Sequence, residues 1–260
     1  MRIYCIPWDK GGFERTIGCA KGPAAILDAL KDVYVGDSGK PLLIEPVQVP
    51  IDPSDWNKSA KAMHQAVASH QGLAISLGGD HSVTHHLITG LLAREPGAGL
   101  LMLDAHADCL DGTSLPTHED FIPQLVRQGG LPAERIILFG LRNIHPQEQA
   151  FLNEHKIDCY GMRRILDLGF DEAVSAVMQK ARQWSALYVS VDIDVADPSC
   201  APGTGYLEPG GLSAQELIHT CRRISRLQNL RAIDVVEVNP ARDSNGMTAA
   251  LGARVIRAFL

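Results

Sequence analysis

Asp104, His106 and Asp108 stand two residues apart in Leu100-Leu101-Met102-Leu103-Asp104-Ala105-His106-Ala107-Asp108, and side chains able to bind a metal at that spacing are where chemistry first shows in the chain. In an extended segment successive side chains point to opposite faces, so the three are expected to aim the same way, with Ala105 and Ala107 opposite. Asp192 and Asp194 repeat the spacing after Ala186-Leu187-Tyr188-Val189-Ser190-Val191, and His81 follows Gly78-Gly79-Asp80. Each motif has a plainer reading: loop polarity for Asp104 to Asp108, turn capping for Asp192 and Asp194, helix capping for His81. Together they favour a shared site. Four carboxylates and two imidazoles suit a pair of borderline divalent ions such as Mn²⁺, Co²⁺ or Ni²⁺ better than Ca²⁺ or Mg²⁺, which prefer all-oxygen cages. The −4 of the carboxylates balances the +4 of two such ions; without metal the carboxylates could not all stay ionised cheaply. Two ions roughly 3.5–4 Å apart share a bridging water and turn it into hydroxide near neutral pH. The chemistry implied is hydrolysis.

The elements that must position these groups alternate. Apolar runs predict strands at Arg2 to Pro7, Pro41 to Ile51, Gly72 to Leu77, Leu100 to Leu103, Arg135 to Phe139, Asp158 to Tyr160, Ala186 to Asp192 and Arg231 to Val238. Helices are predicted at Gly22 to Leu30, Trp56 to His70 with Asp55 as cap, Val83 to Arg94, Glu119 to Gln128, Asp171 to Trp184, Ser213 to Leu227 behind a capping box, and Met247 to Phe259. A polar loop is expected from Cys109 to His118 and a Pro- and Gly-rich one from Pro198 to Gly211. Strands alternating with helices predict an α/β fold, a parallel sheet covered on both faces, in one domain over residues 1–260. In such sheets ligands bind at the carboxyl ends of the strands, where every group above falls.

Composition narrows the partners. The net charge is −6, with 45% hydrophobic and 21% charged residues, which argues against nucleic acid or an anionic membrane and suits a cationic ligand. Six cysteines without a CxxC pair, and no secretory leader, predict reduced thiols and a cytoplasmic protein. No apolar run approaches the roughly 20 residues of a membrane span.

Three stretches carry a resemblance: Gly78-Gly79-Asp80-His81-Ser82; Asp104-Ala105-His106-Ala107-Asp108; and Asp192-Ile193-Asp194-Val195-Ala196-Asp197-Pro198 running into Ala201-Pro202-Gly203-Thr204-Gly205. In that order they resemble the signatures of the ureohydrolases: arginases, agmatinases and formimidoylglutamases. The resemblance extends from the Gly22-Pro23 helix to Glu237-Val238-Asn239-Pro240 and Asp243. It implies a three-layer α/β/α fold with a parallel eight-stranded sheet and two Mn²⁺ ions that serve to hydrolyse guanidinium or amidine groups, and it implies trimers or hexamers. It also implies that His81, Asp104, Asp108 and Asp194 hold or bridge one metal while His106 and Asp192 complete the other. Asp108 would accept a hydrogen bond from the bridging hydroxide, Glu237 would face the substrate guanidinium, and His118 would carry protons to the leaving amine.

The departures bear on substrate. Glu119-Asp120 follow His118 where many agmatinases have Gly-Thr, and these acids could bind a distal amine or start a helix. Tyr206-Leu207 replaces the commoner Thr-Pro, and the linker from Asp108 to His118 lacks the Asn and Ser pattern by which arginases hold a carboxylate. Glu208-Pro209-Gly210-Gly211-Leu212 leans toward agmatinase. The expectation is therefore an agmatinase-like hydrolase of a small guanidino compound, with formimidoylglutamase, arginase or another guanidino-acid hydrolase as alternatives. A basic side chain at the pocket mouth, from residues 109–117 or 142–147, would favour an acidic tail. A non-catalytic metal-binding relative acting as an interaction protein would have lost a ligand or Glu237, and neither is missing.

Overall fold

A computed structural model describes residues 1–35, 39, 41–112 and 115–260. Residues 113 and 114 of the loop expected from Cys109 to His118 lie outside the described residues. Eight strands are found among the described residues: β1 (Arg2–Cys5), β2 (Glu45–Gln48), β3 (Ala74–Leu77), β4 (Ala98–Leu103), β5 (Ile136–Phe139), β6 (Asp158–Tyr160), β7 (Ala186–Asp192) and β8 (Leu230–Val236). All pair in parallel, in the order β2-β1-β3-β8-β7-β4-β5-β6. The central strands β3, β4 and β7 are buried at every residue, which is why they read as largely apolar runs, broken within only by Ser76 and Ser190.

Alternate strand residues feed two cores. Leu101, Leu103, Val189, Val191, Ile233 and Val235 face a layer built from α1 (Gly22–Leu30), α6 (Met162–Leu168), α7 (Phe170–Ala181), α8 (Ala214–Ile224) and α9 (Met247–Ala258). Leu100, Met102, Tyr188, Ala232 and Val236 face α2 (Trp56–Ala68), α3 (Val83–Arg94), α4 (Phe121–Arg127) and α5 (Pro146–His155). The result is a three-layer α/β/α sandwich.

Two helices, α5 and α6, have no counterpart in the sequence expectation. The start of α5 is capped by His145, whose Nδ1 accepts from the Gln147 N–H at 3.3 Å while Glu148 reaches back to the His145 N–H at 2.8 Å. A histidine is not among the usual capping residues, so the signal lay in Pro146 and Glu148 alone.

The turn after β3 is set by backbone packing. A Cβ on Gly79 would stand 1.6 Å from the Trp8 carbonyl oxygen, and Asp80 donates its N–H to that same carbonyl at 2.9 Å. Gly79→Ala must therefore push two backbone segments apart. We expect a loss of about 3 kcal/mol, the upper part of the range for overpacking, read as a lower urea midpoint at unchanged m-value; an unchanged midpoint would show that the turn yields freely.

Candidate active site

Four neighbouring strands, β3, β8, β7 and β4, end on one side of the sheet, and the chain leaving them supplies the chemically suggestive residues. His81 follows β3, Glu237 follows β8, Asp192 closes β7, and Asp104 to Asp108 follow β4. The structure brings His81, Asp104, His106, Asp108, Asp192 and Asp194 together, although not by the alternation expected of an extended segment. The strand β4 stops at Leu103, the chain then bends, and Asp108 takes a left-handed conformation with φ 50°. The Asp104 side chain folds back instead: its Oδ1 accepts the His106 N–H at 2.6 Å. Asp192 does the same for the Asp194 N–H at 2.8 Å. In each motif the first carboxylate shapes its own turn with one oxygen and keeps the other free to point inward.

His81 Nδ1 lies 3.1 Å from Asp104 Oδ2, 2.9 Å from Asp108 Oδ2 and 3.2 Å from Asp192 Oδ2. His106 Nδ1 lies 3.0 Å from Asp194 Oδ2. Two groups of candidate ligand atoms result, His81–Asp104–Asp192 and Asp104–His106–Asp194, with Asp104 in both. This grouping differs from the one the family resemblance implied: Asp192 sits with His81, and Asp194 with His106.

The donor set fits divalent cations. His81 Nδ1, Asp104 Oδ2 and Asp108 Oδ2 are buried and converge, yet none makes a hydrogen bond of acceptable geometry. Burial pushes the Asp192 carboxyl well above the carboxylate range and Asp108 up to about 7, with neighbouring Asp194 and Asp104 adding to the effect. His81 is driven upward despite its burial, because Asp104, Asp108 and Asp192 face it. Protons are thus drawn into a site that +4 of metal charge would satisfy instead.

Above the cluster lies a cavity of about 380 Å³ lined by Asp108, His118, Glu119, Asn143, Tyr206 and Glu237, among others. The floor residue Glu237 has φ 61°; its Oε1 accepts the His81 N–H at 2.8 Å and its Oε2 accepts the Cys19 thiol at 3.4 Å. Burial lifts its carboxyl to about 7, against the pull of His118. His118 is anchored through its N–H to the Gly11 carbonyl at 2.9 Å, with Phe13 edge-on at 5.1 Å. Its Nε2 is 3.3 Å from Glu119 Oε1, which also accepts the Tyr206 hydroxyl at 3.0 Å. The two acids after His118 divide their tasks: Glu119 lines the cavity, whereas Asp120 is buried at the start of α4 and accepts the Thr117 N–H at 2.7 Å. Asp243 is also structural, accepting N–H groups of Thr248 and Ala249 at the head of α9.

Sequence reasoning passed over Cys19, Tyr206, Ser190 and Asp234 as site residues. Ser190 and Asp234 did carry a signal, since each is a fully buried polar side chain flanked on both sides by apolar residues of its strand.

Comparison with known proteins then decides the family. A model described as "Arginase family" matches residues 1–260. The chain belongs to the arginase family. This arginase-family chain is 34% identical to guanidinopropionase of Pseudomonas aeruginosa, an alignment covering 96% of the chain and 82% of that protein. Against formimidoylglutamase of Bacillus subtilis it is 26% identical, with 96% and 83% covered. The crystal structure of formimidoylglutamase from B. subtilis superposes with a TM-score of 0.91 at 24% identity, over 99% of this chain and 84% of that one. Proclavaminate amidino hydrolase from Streptomyces clavuligerus superposes with a TM-score of 0.88 at 24% identity, over 99% and 89%. As an arginase-family member the protein is a hydrolase acting on C–N bonds in linear amidines. Among the described residues no helix is long and apolar enough to cross a membrane.

Proposed function

We propose that the protein is a binuclear manganese hydrolase of a guanidino compound with an aminoalkyl tail, agmatinase-like, releasing urea and an amine. The observation that carries the tail assignment is the cavity lining, which among the described residues holds Glu119, Glu148 and Glu237 and no Lys or Arg. Arg142, the basic residue of the 142–147 loop, faces away: its guanidinium donates to the carbonyls of Asp194 and Glu208.

In this reading His81, Asp104 and Asp192 hold one ion, Asp104, His106 and Asp194 the other, and Asp108 contributes its inward oxygen. Divalent ions bound there would supply an acidified water near neutral pH and balance the carboxylates. The chain does the rest. Glu237 aligns the planar guanidinium over the cluster, and Asp108 accepts a hydrogen bond from the attacking water. As the C–N bond to the alkyl chain breaks, His118 gives the departing nitrogen its proton, and urea and a protonated amine leave. Glu119 faces the tail ammonium. A cytoplasmic, oligomeric protein remains part of the proposal.

A second reading has one observation behind it. The Arg15 guanidinium lies 5.2 Å from the ring centre of Tyr206, a cavity residue, and could meet a carboxylate tail at the mouth. The test is urea release on Mn²⁺-loaded protein from agmatine, arginine, guanidinobutyrate and guanidinopropionate, with ammonia release from formimidoylglutamate alongside. Agmatine is expected to lead in kcat/KM by about tenfold or more, and Glu119→Gln to raise its KM. A lead for an acid-tailed substrate, lost in Arg15→Gln, would replace the first reading by the second.

A further inference from the structure

Asp234 sits within β8 with no solvent exposure, on the sheet face covered by α2 to α5, and a carboxylate there must be satisfied by specific partners. It has three. Its Oδ2 accepts the Tyr188 hydroxyl at 2.6 Å and the Thr84 hydroxyl at 2.8 Å, and its Oδ1 accepts the Ser190 hydroxyl at 2.7 Å. Ser190 is the register partner of Asp234 on β7, and Tyr188 precedes it by two residues on the same face. The parallel pairing therefore presents both hydroxyls to one carboxylate.

Ser190 differs from the other two, because its oxygen also stands 2.9 Å from His81 Nε2. A hydroxyl has one proton, and that of Ser190 is committed to Asp234. Toward His81 it can only accept, so Nε2 must carry a proton, and in the neutral imidazole that a metal requires Nδ1 is the nitrogen with the lone pair. Nδ1 is the atom that lies 2.9 to 3.2 Å from three carboxylate oxygens.

We propose that Asp234, acting through Ser190, is a positioning residue: it fixes the tautomer and aim of His81 and so sets the affinity of the His81–Asp104–Asp192 group for a divalent ion. The chain Asp234–Ser190–His81 extends from the sheet interior to the cavity floor and lies wholly on buried groups. Such partners behind a histidine ligand orient the ring and strengthen it as a donor. The inference rests on reading the cluster as metal-binding.

The experiment uses chelator-stripped full-length protein titrated with Mn²⁺ against a chromogenic chelator, with melting temperatures measured in parallel. Ser190→Ala and Asp234→Asn are expected to weaken one of the two binding steps by about 10- to 100-fold and to leave the other nearly unchanged. Ser190→Thr, which keeps a hydroxyl, should recover the weakened step. Tyr188→Phe removes a partner of Asp234 outside the chain to His81; it should lower the melting temperature and move neither step. Two ions bound by Ser190→Ala with the affinity of the parent protein would overturn this inference and leave the metal cluster standing. An equal loss in Tyr188→Phe would overturn it too, by showing general loosening. A parent protein that binds no Mn²⁺ would sink both readings together. Should Asp234→Asn fail to fold, the contrast between the Ala and Thr variants at Ser190 still decides.

Discussion

Asp104→Asn is expected to leave a folded protein that binds neither ion firmly and turns over substrate roughly 10³-fold or more slowly, since a water no longer acidified by metal is a poor nucleophile. Asparagine separates two roles that alanine would confound. The side-chain oxygen that accepts the His106 N–H is retained, so the turn after β4 keeps its shape. What is lost is the negative charge of a residue that faces His81 with its other oxygen and belongs to both groups of candidate ligands. Metal content after gel filtration and circular dichroism of the same sample check the result. Two equivalents of metal retained at full helical signal would remove Asp104 from the ligand set.

The second large effect concerns protons. His118→Asn should keep the metal and lower kcat by about 10²- to 10⁴-fold, the range for loss of a general acid. Burial draws the His118 pKa down, but Glu119 and Glu237 outweigh it and hold it at about 9. The sign follows. A raised value means the charged imidazole is fully present below the ordinary histidine range and is lost as pH rises through about 9. A step that needs His118 to donate therefore fades on the alkaline side. Bound cations will pull the value down, whereas Glu119 opposes that pull, so Glu119→Gln should move the alkaline limb of kcat to lower pH. The measurement is kcat against pH on Mn²⁺-loaded protein. A limb that stays in place in Glu119→Gln, or survives in His118→Asn, would assign the departing proton to another group.

Much of the fold was legible because fully buried parallel strands leave an unmistakable trace: β4, and β7 apart from Ser190, are runs of apolar residues that stop at acidic ends. The motifs at those ends were legible for the same reason. The conformation that gathers them was not. Alternation along an extended chain was a fair guess for Asp104 to Asp108, but the Asp104 side chain competes for the backbone and bends it, and Asp108 ends in a left-handed conformation. The α5 helix escaped because a histidine caps it. Asp234 and Ser190 meaningfully touch only through strand order, and no local pattern tells that β8 lies beside β7. The roles of Glu119 and Asp120, adjacent in sequence, could be divided only once the direction of each side chain was known.

That strand order also governs how the chain must be made. Strands β1 to β3 form one end of the sheet and β4 to β7 the other, and β8, the last of the eight in chain order, is the piece that lies between β3 and β7. Until residue 236 has left the ribosome the two half-sheets face each other across a missing strand, each with an unpaired backbone edge of buried-type residues. Such edges recruit other chains, and the contacts that would cover them are distant in sequence and slow to form. A nascent or truncated chain ending before Leu230 is thus a prime client for a chaperone, and the hydrolytic site cannot be complete before the sheet is, because the same strand that closes the sheet delivers Glu237 to the cavity floor.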